Sequence, residues 1–160
     1  MTRGDTAVHG ILPDTSVLFV ENGRLWLTRR DGNQLAWEST LLSPNDDRWA
    51  GYELLTPGPA QGTAFPTLWA RSTADGTIRA FSVTGTADAP DFSAFAAPTA
   101  GPVLTTISAA AHLRIGSDGD LTGDGLPDLW TADTPGTFTV FPGTGTTAPH
   151  ATVTGFAPTA

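Results

Sequence analysis

Oxygen-bearing residues stand at alternate positions of one short segment, Asp120–Asp128. Calcium takes about six to eight oxygen ligands from a chain that can curl around it, and odd spacing in a tight loop turns alternate side chains inward. Gly123 and Gly125 permit the backbone angles that so sharp a turn needs. The pattern predicts a calcium site whose ligands are Asp120, Thr122, Asp124, Leu126 through its backbone carbonyl, and Asp128.

The three aspartates of this segment would repel one another unless something neutralised them. A bound cation is one answer, and the alternative is a solvated turn rich in Asp and Gly. The segment differs from an EF-hand loop, because Thr131 stands at the twelfth position, where that loop has Glu. Without this bidentate ligand we expect a modest affinity of ~10⁻⁴–10⁻³ M, which suits the calcium-rich exterior of a cell.

The composition argues against several classes of protein. Lys is absent, the eight basic residues are scattered Arg, and the formal net charge is −8. A nucleic-acid binder would need a basic stripe, so we expect no nucleic-acid partner. Cys is absent too, which excludes disulfides, thiolate metal sites and thiol catalysis. No apolar run reaches the length of a membrane span, so none is predicted.

The calcium segment belongs to a unit that occurs more than once. Landmark segments recur at an offset of 60 or 61 residues. The matching pairs are Phe65–Trp69 with Leu126–Trp130, Gly76–Phe81 with Gly136–Phe141, Thr84–Thr86 with Thr144–Thr146, and Pro98–Ala100 with Pro158–Ala160. A shorter first unit contains the hairpin signal Asn22-Gly23.

Each unit has the pattern of short strands joined by Gly turns, with alternating β-branched and aromatic residues. Further strands are predicted near 35–42, 49–55, 103–107, 111–115 and 151–155. About four strands in a repeat of this length is typical of a propeller blade. We therefore predict an all-β protein of antiparallel four-stranded blades. It divides into a flexible N-terminal segment (1–15), a degenerate unit (16–56), a second unit without a metal loop (57–117) and a third unit with the calcium loop (118–160).

About three units fall short of the four to eight blades of a closed propeller. We expect completion by the remaining blades of a longer chain or by a homo-oligomer; a small self-contained β domain is the alternative. The first residues, Met1–Asp5, are followed by no apolar segment typical of a signal peptide. We favour an internal piece of an exported chain, which predicts an extracellular or cell-surface location.

The segment Asp120–Trp130 resembles the FG-GAP/VCBS repeat of integrin-like β-propellers, especially the repeats of secreted bacterial proteins. The resemblance implies blades of four antiparallel strands, with calcium held in the loop between the first two. Thr122 stands where the family usually has Asn or Asp, and its hydroxyl is a poorer ligand. The equivalent positions of the second unit hold no carboxylate, so we expect one calcium ion; they are Pro59, Gln61, Thr63, Phe65 and Thr67.

Aromatic residues are the other candidates for binding. Trp26, Trp69 and Trp130 recur at the hairpins, and repeat-periodic aromatics usually pack between units, so we favour core packing over a sugar-stacking platform. A candidate ligand surface outside the periodic set is formed by Trp37, Trp49 and Tyr52.

Three functions fit these patterns. The first is a calcium-stabilised binding module that recognises glycans or proteins outside the cell. The second is a non-catalytic accessory module of a secreted hydrolase. The third, which we disfavour, is an enzyme such as a glycosidase or a metal-assisted hydrolase, because the carboxylates are better explained as calcium ligands.

Overall fold

A computed structural model describes residues 4–7, 15–30, 37–86, 89–133 and 136–158. These residues form an all-β structure of small antiparallel sheets with one 3₁₀ turn, which confirms the predicted class. None of the described residues belongs to a helix with the length and hydropathy that crossing a membrane would require.

The first sheet is a four-stranded meander in the order β1-β2-β3-β4. Its strands are β1 (Gly4–Ala7), β2 (Thr15–Glu21), β3 (Arg24–Arg30) and β4 (Trp37–Leu41). Asn22 and Gly23 link β2 to β3 with φ angles of 52° and 73°. Positive φ at both central residues is the geometry that joins two twisted strands through a two-residue loop.

The second sheet has the order β10-β7-β6-β5, and a small insertion precedes its last strand. It contains β5 (Tyr52–Gly58), β6 (Thr67–Ser72) and β7 (Thr77–Ser82). The insertion holds the hairpin β8 (Thr84–Gly85) and β9 (Pro90–Asp91) and the 3₁₀ turn Ser93–Ala96, after which β10 (Val103–Thr106) pairs with β7.

The third sheet has the order β11-β12-β13, and a separate hairpin follows it. Its strands are β11 (Arg114–Gly116), β12 (Leu129–Asp133) and β13 (Thr137–Phe141). The hairpin consists of β14 (Gly143–Thr146) and β15 (Thr152–Phe156) and lies against β10 of the second sheet.

The second sheet lies between the other two and contacts each of them with one face. A single strand can reach both neighbours, because successive side chains of a strand point to opposite faces. In β6, Leu68 and Ala70 enter a core cluster shared with the first sheet, whereas Trp69 enters a cluster shared with the third sheet. The first strands of the first and third sheets both lie beside β5. Among the described residues the three sheets do not close into a ring.

The strands begin earlier than the predicted units do. β5 begins at Tyr52 and β11 at Arg114, ahead of the predicted boundaries at 57 and 118. Within the segment predicted to be flexible, Gly4–Ala7 pairs with β2. The predicted boundaries differ from these strand starts because the motif of each unit lies after its first strand.

Candidate metal centre

The predicted calcium segment is the loop between β11 and β12, the first two strands of the third sheet. Two hydrogen bonds close its base. The Ser117 hydroxyl donates to the Asp128 carbonyl oxygen over 2.6 Å, and the Asp128 amide donates to the Gly119 carbonyl oxygen over 2.9 Å. The loop thus leaves and rejoins the sheet at fixed points.

Asp128 is the buried anchor of this loop, with none of its surface exposed. Its Oδ2 accepts the amides of Leu121 and Thr122, each at 2.8 Å, and its Oδ1 accepts the amide of Gly143 at 2.8 Å. Hydrogen bonds to an ionised group are stronger than neutral ones. Three of them make a buried carboxylate tolerable and tie the loop to the start of β14.

Asp120 organises the exposed half of the loop. Its Oδ1 accepts the amides of Gly123 at 2.6 Å and Asp124 at 3.2 Å, and its Oδ2 accepts the amide of Gly125 at 2.8 Å. The Gly125 amide, opposed by partial desolvation and supported by the Gly123 and Asp124 amides, lowers the pKa of the Asp120 carboxyl below its ordinary value. The cause is that each amide hydrogen bond favours the charged carboxylate.

Glycines give the loop its curvature. Gly119, Gly123 and Gly125 have φ angles of 88°, 82° and 88°, values that residues with a side chain rarely adopt. Asp124 lies exposed between two of them and accepts only the Leu126 amide, at 2.8 Å, among the described hydrogen bonds. The loop therefore presents carboxylate oxygen to solvent.

Backbone amides surround the three aspartates of the loop. Asp120 and Asp128 each accept three of them and Asp124 accepts one. Among the described residues, no group of three or more His, Asp or Glu side chains stands in a metal-binding arrangement. These amides offset part of the repulsion among the carboxylates, and calcium ligation by the loop stays a prediction.

The donor set nevertheless fits a hard cation. Carboxylate, hydroxyl and carbonyl oxygens are the ligands that calcium prefers, and the loop offers all three kinds. An ionised carboxylate has about four acceptor sites, so Asp120 and Asp128 each keep one and Asp124 keeps more. Amide donors and a cation can therefore share these carboxylates.

The counterpart loop in the second sheet joins β5 to β6 and is built without carboxylates. The Thr67 hydroxyl, which occupies the place of Asp128, accepts the Ala60 amide at 3.1 Å. Gln61 donates from Nε2 to the Val153 carbonyl oxygen over 2.9 Å, and the Gly62 amide donates to the Ala151 carbonyl oxygen over 2.8 Å. This loop is held by its neighbour β15.

Trp49, one of the three residues predicted to form a ligand surface, does not lie at the surface. This indole is fully buried, and its Nε1 donates to the Phe95 carbonyl oxygen over 3.1 Å. It packs against Tyr52 and Phe81 with ring centroids 5.7 and 5.4 Å away, so it belongs to the core and the prediction is wrong for it. Tyr52 is half-buried in the same cluster, and the side chain of Trp37 lies outside the described residues.

The periodic tryptophans differ from one another. Trp69 is fully buried between the second and third sheets, as predicted for packing between units. Trp26 is half-buried. Trp130 lies on the outer side of the third sheet, stacks on Phe138 and donates from Nε1 to Asp118 Oδ2 over 2.7 Å.

A polar network between the second and third sheets has no counterpart in the sequence predictions. Arg71 is fully buried; its Nε donates to Glu53 over 2.5 Å and its Nη1 to the His112 carbonyl oxygen over 2.9 Å. His112 Nδ1 lies 2.8 Å from Asp133 Oδ2. Removing Glu53 would leave the buried Arg71 charge without its partner, and the Arg71 contact with His112 joins the second sheet to the segment before β11. No spacing pattern joins these residues, which come from four separate segments.

In comparisons with protein-family models, with curated proteins and with solved structures, nothing matches this chain. The FG-GAP/VCBS resemblance therefore stays a prediction, carried by the residues of the loop and by the repeat.

Proposed function

We propose that this chain is a calcium-binding module built from FG-GAP/VCBS-type, propeller-like repeats, with a structural and binding role and no catalytic activity. One observation carries the proposal: of the two described loops that join first and second strands, only the one in the third sheet contains carboxylates, and they keep free acceptor sites. The fold of the second sheet does without them, so a ligand is the simplest reason for their presence.

Five residues of the loop would act together as the ligands of one calcium ion. Asp120, Asp124 and Asp128 supply carboxylate oxygens and Leu126 supplies its carbonyl, with the Thr122 hydroxyl as a weaker fifth donor. Bound calcium would add positive charge among the carboxylates. The amides of Gly123 and Gly125 hold the Asp120 carboxylate in place before the ion arrives. This reduces the ordering that binding must accomplish.

We place the module at or outside the cell surface, where it recognises a glycan or a protein. Three carboxylates without a bidentate Glu support an affinity of ~10⁻⁴–10⁻³ M, the range of extracellular calcium modules. A net charge of −8 suits a cation ligand and a neutral or basic partner.

Thermal unfolding in calcium and in magnesium tests the proposal. With about 10 mM calcium and the affinity given above, mass action stabilises the fold by roughly 1.4–2.7 kcal/mol. For a chain of this length that raises the melting temperature by about 3–10 °C. Magnesium should have little effect, because it dehydrates reluctantly and demands octahedral geometry.

A matched pair of variants locates the effect. Asp124→Ala should abolish the calcium shift, whereas Thr63→Ala, the equivalent substitution in the second loop, should leave it intact. A melting temperature of the unsubstituted protein that does not change when calcium is added would refute the proposal. So would a calcium shift that survives Asp124→Ala undiminished.

A further inference from the structure

The two faces of the second sheet make different contacts, and we name them by their neighbours. The leading face packs against the first sheet and contains Leu54, Leu68, Ala70 and Phe81. The trailing face packs against the third sheet and contains Leu55, Trp69, Ile78 and Ala80. All eight residues are buried.

The repeat assigns the same two faces to the third sheet. Its leading face, at the equivalent positions, is formed by Ile115, Leu129, Thr131 and Phe141, and it packs against the second sheet. Its trailing face is formed by Gly116, Trp130, Phe138 and Val140. No described sheet covers this face, and Phe138 is 60% exposed where its equivalent Ile78 is fully buried.

Contacts within the third sheet hold the aromatic side chains of its trailing face in place. A Cβ added to Gly116 would lie 2.3 Å from the Trp130 indole, so the indole lies directly on this strand. Its Nε1 is fixed by Asp118, and its ring stacks on Phe138 at a centroid distance of 5.6 Å and 26° between planes. The polar atom of the indole is thus satisfied at the edge, and the apolar surface faces outward.

The first sheet has the reciprocal arrangement. Its trailing residues Leu18, Leu25 and Leu27 are buried against the second sheet. Its leading face, on the opposite side, contains Val17, Phe19, Trp26 and Leu41, all half-buried. Phe19, Trp26 and Leu41 are cross-strand partners in register, so they form one continuous apolar row.

We propose that a second copy of this chain docks the leading face of its first sheet on the trailing face of the third sheet. Both junctions inside the chain pair a trailing face with a leading face, and the two faces that no described sheet covers are one of each kind. Two copies related by a twofold axis would form two identical junctions, and their six sheets would close into a ring. The proposal does not depend on calcium.

Cysteine pairing tests which faces meet, because the natural chain has no Cys. Phe138→Cys and Phe19→Cys proteins are mixed in calcium and oxidised. We expect the mixed disulfide to form several-fold faster than with Leu113→Cys, which is exposed and outside both faces. If Phe19→Cys impairs folding, Ser39→Cys replaces it, since Ser39 is exposed on the same side of the sheet. Phe138 pairing with itself, or no enrichment over Leu113, overturns the proposal.

The mass in solution gives a second test, by light scattering on the eluting protein. We expect twice the chain mass of 16.6 kDa, and a shift to the single-chain mass for Phe138→Glu but not for Leu113→Glu. Both residues are exposed, so both variants should fold, and circular dichroism checks this. A single-chain mass at ~100 μM would overturn the proposal, because a junction as apolar as the internal ones should persist there. Quenching of Trp130 by an oligosaccharide in that monomer would assign the face to a glycan instead.

Discussion

The loops 59–67 and 120–128 stand at the same place in two neighbouring sheets and solve the same structural problem differently. In both, the ninth residue is buried and accepts the amide seven positions before it: Thr67 accepts Ala60, and Asp128 accepts Leu121. The fold therefore requires an acceptor at this position, and a hydroxyl suffices.

The remaining positions show what the fold does not require. The second loop has no carboxylate and is tied to β15 through Gln61 and Gly62. The loop of the third sheet instead curls around Asp120, whose carboxylate accepts three backbone amides of the same loop. Asp120 and Asp124 are exposed and exceed what the equivalent loop needs in order to form. Asp120 therefore replaces the contacts with β15 as an organiser of its loop, whereas Asp124 accepts a single amide and is the carboxylate that the proposed calcium ion best explains.

The largest effect should come from Asp128→Ala. It removes the acceptor of the Leu121, Thr122 and Gly143 amides in a buried site, and each amide left unsatisfied costs about 1–3 kcal/mol. We expect a loss in the free energy of unfolding on the order of 3 kcal/mol or more, measured by urea denaturation without calcium. Asp128→Thr, which copies the second loop, should lose less. Equal losses in the free energy of unfolding for the two variants would contradict the claim that a hydroxyl can serve as the acceptor at this position.

Thr67→Val should have a smaller effect, because a single amide, that of Ala60, loses its acceptor while the side-chain volume is kept. We expect a loss of about 1–2 kcal/mol. The same denaturation series measures it, and a loss as large as that of Asp128→Ala would show that the two residues are not equivalent anchors.

The equivalent glycines Gly62 and Gly123 offer a matched pair. Both have positive φ, 72° and 82°, so an alanine at either position should cost about 1–2 kcal/mol from backbone strain. A Cβ at Gly62 would lie 3.1 Å from Thr152 Oγ1, whereas nothing lies within 4 Å of one at Gly123. Gly62→Ala should therefore be the more destabilising in urea, and the reverse order would contradict the described contact with β15.

The smallest effect is the acid titration of Asp120. Amide hydrogen bonds lower the pKa of the Asp120 carboxyl in the folded chain. The ionised carboxylate therefore contributes its full stabilisation at pH values above the ordinary pKa of 3.8, and this contribution is lost as the pH falls through the lower pKa of the folded chain. Carboxyl NMR shifts followed from pH 6 to pH 2 should give Asp120 a midpoint below 3.8 in the absence of calcium. A midpoint above this value would mean that the amides do not bind the carboxylate in solution.

Strand positions were readable from the sequence because they depend on local alternation. The predictions near 35–42, 103–107 and 151–155 match β4, β10 and β15. The first strands were placed less well, since three-residue β11 carries too little pattern to mark where a unit begins.

The loop could be located from its residue types, but its hydrogen bonds could not. Whether Asp120 receives amides or a cation depends on backbone direction, which spacing alone does not specify. Trp49 was misplaced for a related reason: its burial depends on the distant Phe95 and Phe81, and a non-periodic aromatic gives no sign of such partners. The contact of Arg71 with His112 is likewise between segments far apart in sequence.

A calcium titration followed by amide NMR compares the two loops most directly. We predict shifts that saturate at millimolar calcium and concentrate on the amides of 120–128, above all those of Gly123, Gly125 and Leu126, while the amides of 59–67 stay unchanged. Amide spectra that do not respond to calcium, or that respond equally in both loops, would contradict the proposal that the carboxylates of the third sheet bind a cation.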